Sequence, residues 1–241
     1  MTKYRALLAN DIRYAWRDPV LMAALFGPLL LLLLSRYGFP VASYWLGSSY
    51  SFNLDEYRGF AASLLMMIIP LLIGMLVGLL MLDERDENVI VYYSVTPFMG
   101  RGYLVYRLTL PTLLCIVLSM LFLVFSGFML FRLGYLLVLI LLAMEAPLFA
   151  LFLAAFAANK VEGLVLSKIG GLFIIGPAVA YFIPNTWQFL GAWVPTYWPA
   201  KVLHLFMQNE ILLAAIFFLI GLLIHAICLL FMISIFHKKH I

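Results

Sequence analysis

An all-α integral membrane protein with six transmembrane helices is the fold class this sequence predicts, and three observations carry it. Of the 241 residues 66% are hydrophobic and 11% charged, whereas a water-facing domain runs near 45–50% apolar and roughly 25% charged. Five apolar runs are long enough to cross the roughly 30 Å of a bilayer core, which takes about 20 helical residues. A sixth run is shorter and is interrupted by glycine and proline. No stretch is left over for an independent soluble domain, so 1–241 reads as one transmembrane domain.

Within 1–18, Tyr4, Leu7, Leu8, Ile12 and Trp16 fall at helical spacing, with Arg5, Arg13 and Arg17 on another face. That pattern suits an interfacial helix lying against anionic headgroups. Asp18 and Pro19 supply an N-cap and a favoured first helical residue for a first span over 20–38, with Arg36 snorkelling at its far end. A charged stretch precedes this run, as in a signal peptide, but Ser35-Arg36-Tyr37-Gly38 follow it without a small-residue cleavage pattern, so it reads as a retained helix. Further spans are expected at 59–82, 108–131, 135–156 and 211–236. The run 169–183 would reach only about 22 Å as a helix, and Gly170, Gly171, Gly176 and Pro177 interrupt it; it must begin nearer Leu164 or fail to cross cleanly.

Charge sets the orientation. With six spans and both ends cytoplasmic, eleven Lys and Arg residues fall inside (Lys3, Arg5, Arg13, Arg17, Arg85, Arg101, Arg107, Lys160, Lys168, Lys238, Lys239), and four outside (Arg36, Arg58, Arg132, Lys201). Cytoplasmic loops are the basic ones, so the chain is expected in the cytoplasmic membrane with both termini inside. The net charge of +4 is scattered between apolar runs and makes no groove for nucleic acid. Cys115 and Cys228 lie within apolar runs without metal-ligand spacing.

Between the second and third spans, 83–103 begins Asp83-Glu84-Arg85-Asp86-Glu87 and continues to Val95-Thr96-Pro97. The acidic beginning suits a helix N-terminus and Pro97 a stop; Val89, Tyr92, Tyr93 and Thr96 share one face. Such a helix is either a solvated, charge-capped loop or a contact for a partner. The stretch 184–210 holds Trp187, Trp193 and Trp198 with Pro184, Pro195 and Pro199. Its pieces are too short to span, so it lies on or dips into the outer leaflet, as an aromatic anchor or as a gate. Glu145 sits ten residues into the fourth span, at a depth where an acidic residue is costly. It must face protein or water, or be protonated. Pro147 would bend the helix beside it, and His225 is at a matching depth. Their role is structural hydrogen bonding or a part in substrate or proton handling. Gly74 and Gly78 form a small-xxx-small pair that permits close helix packing.

On Glu84-Arg85-Asp86-Glu87, Val95-Thr96-Pro97, Gly102-Tyr103-Leu104 and Arg107, and again on Asn159-Lys160-Val161-Glu162-Gly163-Leu164 with Ser167-Lys168, the chain resembles the membrane (permease) subunits of ABC-2-type transporters of the multidrug or peptide exporter kind. Asn88-Val89-Ile90 departs from the Gly-Thr-Leu type of sequence expected there. The resemblance implies a coupling helix within 83–103, with Glu84, Arg85, Asp86, Glu87, Tyr92, Tyr93, Thr96 and Pro97 engaging a separate ABC ATPase subunit that carries ATP and magnesium. It implies paired re-entrant helices in 184–210, a dimer with a second copy or a homologous permease, and export of a hydrophobic drug, amphipathic peptide or lipid-like molecule. Glu145, Pro147, Trp187, Trp193 and Trp198 are then the pathway and gate candidates.

The chain has no G-x-x-x-x-G-K-[ST] phosphate loop, no H-E-x-x-H zinc pair and no G-x-S-x-G nucleophile elbow. It is not expected to be an enzyme by itself or to hold a cofactor or metal. Two other readings stand beside the exporter: a proton-coupled secondary transporter using Glu145, and a non-transporting membrane immunity or scaffold protein.

Overall fold

The computed structural model describes residues 11–13, 16–87, 89, 99–183 and 186–240, apart from the side chains of 99–101 and 240. Most of the expected interfacial helix 1–18 lies outside the described residues. So do Tyr92, Tyr93, Thr96 and Pro97 of the expected coupling helix, and Pro184 of the outer segment.

Among the described residues every regular element is helical. Helix α1 (Pro19–Leu33) opens as expected: Asp18 Oδ1 accepts the amides of Val20 at 2.8 Å and Leu21 at 3.4 Å, and Pro19 occupies the first turn. It does not stop near Gly38. A π-helical turn, Leu34–Gly38, leads into α2 (Phe39–Tyr50), giving a 32-residue helical run. Pro40 has no amide to return to the preceding turn, and widening that turn avoids the ring clash without ending the helix. At about 1.5 Å per residue this run is near 48 Å, so its last turns project beyond the hydrocarbon. Ser51, at φ 53°, ends it.

Helix α3 (Arg58–Asp86) is the second crossing, α4 (Met99–Phe125) the third, and α5 (Tyr135–Phe156) the fourth; α5 keeps the expected bounds, α3 runs four residues past the expected Leu82, and α4 begins nine residues before the expected Leu108. The third ends six residues before the expected Phe131; the chain turns at Ser126 and at Gly127, whose φ of +79° suits glycine. The fifth crossing is longer than expected. Its first part, α6 (Lys160–Ile169), passes through a 3-10 stretch, Gly170–Ile174, into α7 (Ile175–Phe182), 23 helical residues in all. Residues 160–168, part of the stretch that carries the resemblance, form its first turns. Asn159 Oδ1 accepts the Glu162 amide at 2.9 Å, and Glu162 Oε2 accepts the Ala158 amide at 2.7 Å, a reciprocal cap that fixes where the helix starts.

The outer segment comprises an exposed 3-10 stretch, Thr186–Trp193, and α8 (Tyr197–Met207). Helix α8 has eleven residues, about 16 Å, so it enters the bundle without crossing it. Tyr197, Trp198, Ala200, Val202 and Leu203 are all buried, so this piece is packed core and does not lie on the outer leaflet. Helix α9 (Ile211–His240) makes the sixth crossing.

Helices α3 and α5 form the centre. Their backbones meet at Gly74 and Gly78: a Cβ on Gly74 would stand 2.6 Å from Ala146 O and 2.8 Å from Phe149 Cβ, and one on Gly78 3.0 Å from Leu153 Cβ. This is the close approach the small-xxx-small spacing permits. Helices α1, α4, α6 with α7, and α9 surround them and present large apolar side chains outward. Long-range polar contacts sort into two ends. Asp11, Asp18, the last turn of α3, the first turns of α4 and α6, and Lys239 gather at one. At the other, Tyr181 donates to Glu56 O at 2.7 Å and Arg132 pairs with Asn209. The chain therefore alternates direction through six crossings, with 11–18 and the end of α9 on the same side.

Candidate functional site

Two polar regions stand out from the apolar bundle, one at the end that gathers 11–18 and one inside. At the first, Arg107 in the third turn of α4 is 1% exposed. Its guanidinium bonds both oxygens of Asp11, at 2.7 and 2.9 Å, and both oxygens of Glu84. Tyr106 donates to Asp11 and Tyr103 to Glu84, at 2.9 and 2.8 Å. A guanidinium suits this because its planar fork serves two carboxylates at once. Beside it Lys160 Nζ bridges Asp18 and Asp83 at 2.7 and 2.6 Å. Burial pushes the Asp18 carboxyl up, but the Lys160 ammonium and the amides of Val20 and Leu21 outweigh it and hold it below the ordinary carboxylate range. Arg85 donates to the carbonyls of Ala154 and Ala157, at 3.1 and 2.7 Å, and Lys239 to Ala155 O at 3.0 Å. Cations here neutralise the exposed carbonyls at the C-terminus of α5.

This geometry corrects the expectation that Asp83–Glu87 begins a helix. The acidic run is the C-terminal turn of α3 and the residue after it, where the helix dipole disfavours carboxylates. Arg107 and Lys160, 23 and 77 residues away, supply the compensation. Of the expected coupling residues, Glu84 and Arg85 are therefore turned into the bundle, while Asp86 and Glu87 are exposed.

The second region is the middle of α5. Glu145 is 3% exposed and His225 0%, and Glu145 Oε1 lies 3.4 Å from His225 Nε2. Helix α9 turns a narrow stripe inward, Ala214, Phe218, Gly221 and His225; this i, i+4, i+7, i+11 spacing places the histidine on the packed face. Its Nδ1 lies 2.7 Å from Gly221 O. A carbonyl only accepts, so Nδ1 carries a hydrogen. Nε2 is then either bare, facing a protonated Glu145, or protonated, facing a carboxylate. Either way the pair holds one shared proton and no net charge, which is how an acid and a base are tolerated in an apolar interior.

A cavity of about 290 Å³ adjoins the pair, lined by Leu71, Leu148, Phe149, Phe152, Phe173, Trp193, Pro195, Cys228 and Met232 in addition to Glu145. Five parts of the chain, α3, α5, the Gly170–Ile174 stretch, the outer segment and α9, thus bring aromatic and aliphatic surface to one carboxyl group. Pro147, two residues on, removes the amide that would bond Ala143 O and lies where Gly74 lets α3 approach.

The three tryptophans separate. Trp193 lines the cavity, although the side chain is 90% exposed overall. Trp187 is exposed, and Trp198 is buried, its Nε1 donating to Ala192 O at 3.0 Å and its Cβ close to where a Gly221 side chain would be. Sequence reasoning missed the Asp11–Arg107–Glu84 and Asp18–Lys160–Asp83 clusters. Their signal was an unpaired basic residue inside the apolar approach to a span, Arg107. It missed the lining residues Phe149, Phe152, Phe173 and Cys228 because nothing distinguishes them from other apolar positions.

Residues 11–233 match the family described as fluoroquinolones export permease protein Rv2686c-like. Two relatives from Mycobacterium tuberculosis are each 28% identical over 206 residues, covering 82% of this chain and 81% of their own. They are fluoroquinolones export permease protein MT2760, from strain CDC 1551 / Oshkosh, and fluoroquinolones export permease protein Rv2686c, from strain ATCC 25618 / H37Rv. No solved structure matches the chain.

Proposed function

This chain belongs to the Rv2686c-like family of fluoroquinolones export permease proteins, and from that premise we propose that it is the membrane subunit of an ATP-driven exporter whose ATP is hydrolysed by a separate ABC ATPase. The observation that carries the reading is the family match, which begins at residue 11 and reaches residue 233 in the sixth crossing. Two copies, or one copy and a homologous permease, enclose the translocation route. The end gathering 11–18, α3's last turn and α6's first turn is cytoplasmic, as its share of Lys and Arg favours. There 83–103 meets the ATPase, with Asp86 and Glu87 as the exposed acidic contacts. Closure of the ATPase pair moves α3 and α4 together, because Arg107 ties their ends, and so opens or closes the route beside α5.

The exported molecule is a flat amphiphilic aromatic compound of the fluoroquinolone kind, by likeness to the relatives' names. An apolar, aromatic cavity with one carboxyl group suits such a compound. Co-purification from the native membrane with a phosphate-loop ATPase, followed by norfloxacin uptake into inverted vesicles carrying both, tests the reading. ATP-dependent uptake that is lost with Asp86→Lys and Glu87→Lys together, along with ATPase co-purification, is expected. Retained co-purification would remove the coupling assignment, and uptake indifferent to ATP would remove the exporter.

The buried Glu145–His225 contact favours a second reading, proton-coupled secondary transport. It requires uptake that collapses with a proton ionophore while ATP hydrolysis continues.

A further inference from the structure

We propose that the cavity beside Glu145 binds monovalent aromatic cations in exchange for the proton held by the Glu145–His225 pair, one proton leaving for each cation bound. The inference rests on the reading of this cavity as a ligand site and goes beyond it by naming the charge of the ligand and the ion it displaces.

The chemistry follows from the geometry. Glu145 reaches the cavity, and His225 stands behind it with Nδ1 fixed on Gly221 O. The empty site holds Glu145 and His225 with one proton between them. A cation entering the cavity meets a carboxyl group that is not committed to any fixed cation. In the bound state Glu145 is a carboxylate facing the ligand, His225 is neutral with its hydrogen on Nδ1, and the shared proton has passed to water. Charge is conserved: one positive charge enters and one leaves, and the interior stays neutral before and after. An anion cannot bind by displacing this proton, because losing it would add a second negative charge to the apolar interior.

Among the described residues, the other titratable groups on the elements packed against α5 do not supply a competing counterion. On α9, Cys228 lines the cavity, while His237, the exposed Lys238 and Lys239, which donates to Ala155 O, lie at the helix end beside the acidic cluster. On α4, the Cys115 thiol donates to Leu142 O at 3.3 Å. The charged groups of α3 are at its two ends: Arg58 with Asp55 at one, and the acidic cluster with Arg107 and Lys160 at the other. On α6, Lys160 is bound in that cluster, Glu162 caps its own helix and Lys168 is exposed. Lys201 on α8 lies over the Phe217 ring and His204 against Tyr181. Phe149, Phe152, Phe173 and Trp193 present ring surface to the same space, and aromatic rings attract a cation as well as an apolar body.

N-methylacridinium is a suitable probe, being flat, fluorescent and permanently charged, so it neither takes up nor gives off a proton; anthracene is its neutral counterpart. Binding to the purified full chain in lipid nanodiscs is measured by fluorescence, and proton release by calorimetry in two buffers of different ionisation enthalpy. Wild type is expected to release one proton per cation. Affinity is expected to rise about tenfold per pH unit over the range in which the pair holds one proton, because a displaced proton opposes binding. Glu145→Gln removes both the release and the pH slope and weakens the cation at least tenfold, while anthracene binds as before, which also reports an intact cavity. Cys228→Trp, which fills the cavity, weakens both probes. Cation binding with no proton release in wild type overturns the exchange, whatever the variants do. Unchanged cation affinity in Glu145→Gln removes Glu145 from the site, and anthracene and the cation both failing to bind wild type removes the cavity as a ligand site. None of these readouts involves ATP, so failure of ATP-driven export is a separate result.

Discussion

The Arg107 cluster and the Glu145 pair are both buried and both built on a central helix, yet one is saturated and the other is not. Arg107 meets two carboxylates and those carboxylates meet two tyrosines, and Lys160 joins two more. Four stretches of chain, the segment at 11–18, α3, α4 and α6, are fastened at one end of the bundle. Among the described residues Glu145 has a single side-chain partner at 3.4 Å, and it has an open cavity on its other side. A closed network resists change because every member loses a partner when one moves. A pair sharing one proton beside a cavity can exchange that proton. The first region is therefore suited to transmitting movement as a rigid unit and the second to meeting a ligand.

The comparison breaks most sharply at Arg107. Arg107→Leu leaves Asp11 and Glu84 without their cation, and removing one member of a buried pair costs about 3–5 kcal/mol; loss of the monodisperse folded protein is expected in fluorescence-detected gel filtration. Wild-type behaviour would mean that the cluster is not a fastening.

Gly74→Ala probes the backbone contact that both regions share through α3. Overpacking of this kind costs about 1–3 kcal/mol, to be read as a lowered thermal midpoint in detergent. Glu145→Gln, by contrast, keeps the shape and removes a proton-exchanging group, so its midpoint should stay within about 1 kcal/mol of wild type. A fall as large as that of Arg107→Leu would erase the distinction between the two regions.

Asp18→Asn gives the smallest effect, under about 1 kcal/mol, since the Asp18–Lys160 pair is partly exposed. Its sign with pH is fixed by the lowered Asp18 carboxyl. The pair's contribution is fully present above the unfolded value of about 3.9 and is lost as pH falls through the lower folded value. Wild type and Asp18→Asn should therefore converge below about pH 4 in chemical denaturation.

The parts of the fold legible in the sequence were those decided locally. Helix α5 is an apolar run after Gly134 that only Glu145 interrupts with a charged residue type, and Asp18-Pro19 starts α1 by its own hydrogen bonds. The inward turn of Gly74 and Gly78 followed from their spacing. Where distant residues decide, the sequence misleads. The acidic turn at 83–87 looks like a helix start until Arg107 and Lys160 are placed beside it, and the first span, expected to end at Gly38, runs on through a π turn. Depth alone paired Glu145 with His225, 80 residues apart; the aromatic side chains that complete the cavity carry no mark in the sequence. Trp198, one of three tryptophans of similar context, is core because Gly221 of α9 makes room for it.

The most direct test of the difference between the two regions is ATP-driven transport of N-methylacridinium into inverted vesicles carrying the chain with its ATPase, comparing wild type with Glu145→Gln at equal amounts of assembled complex. The account predicts at least a tenfold loss of transport with ATPase association unchanged. Equal transport by the two proteins would contradict it.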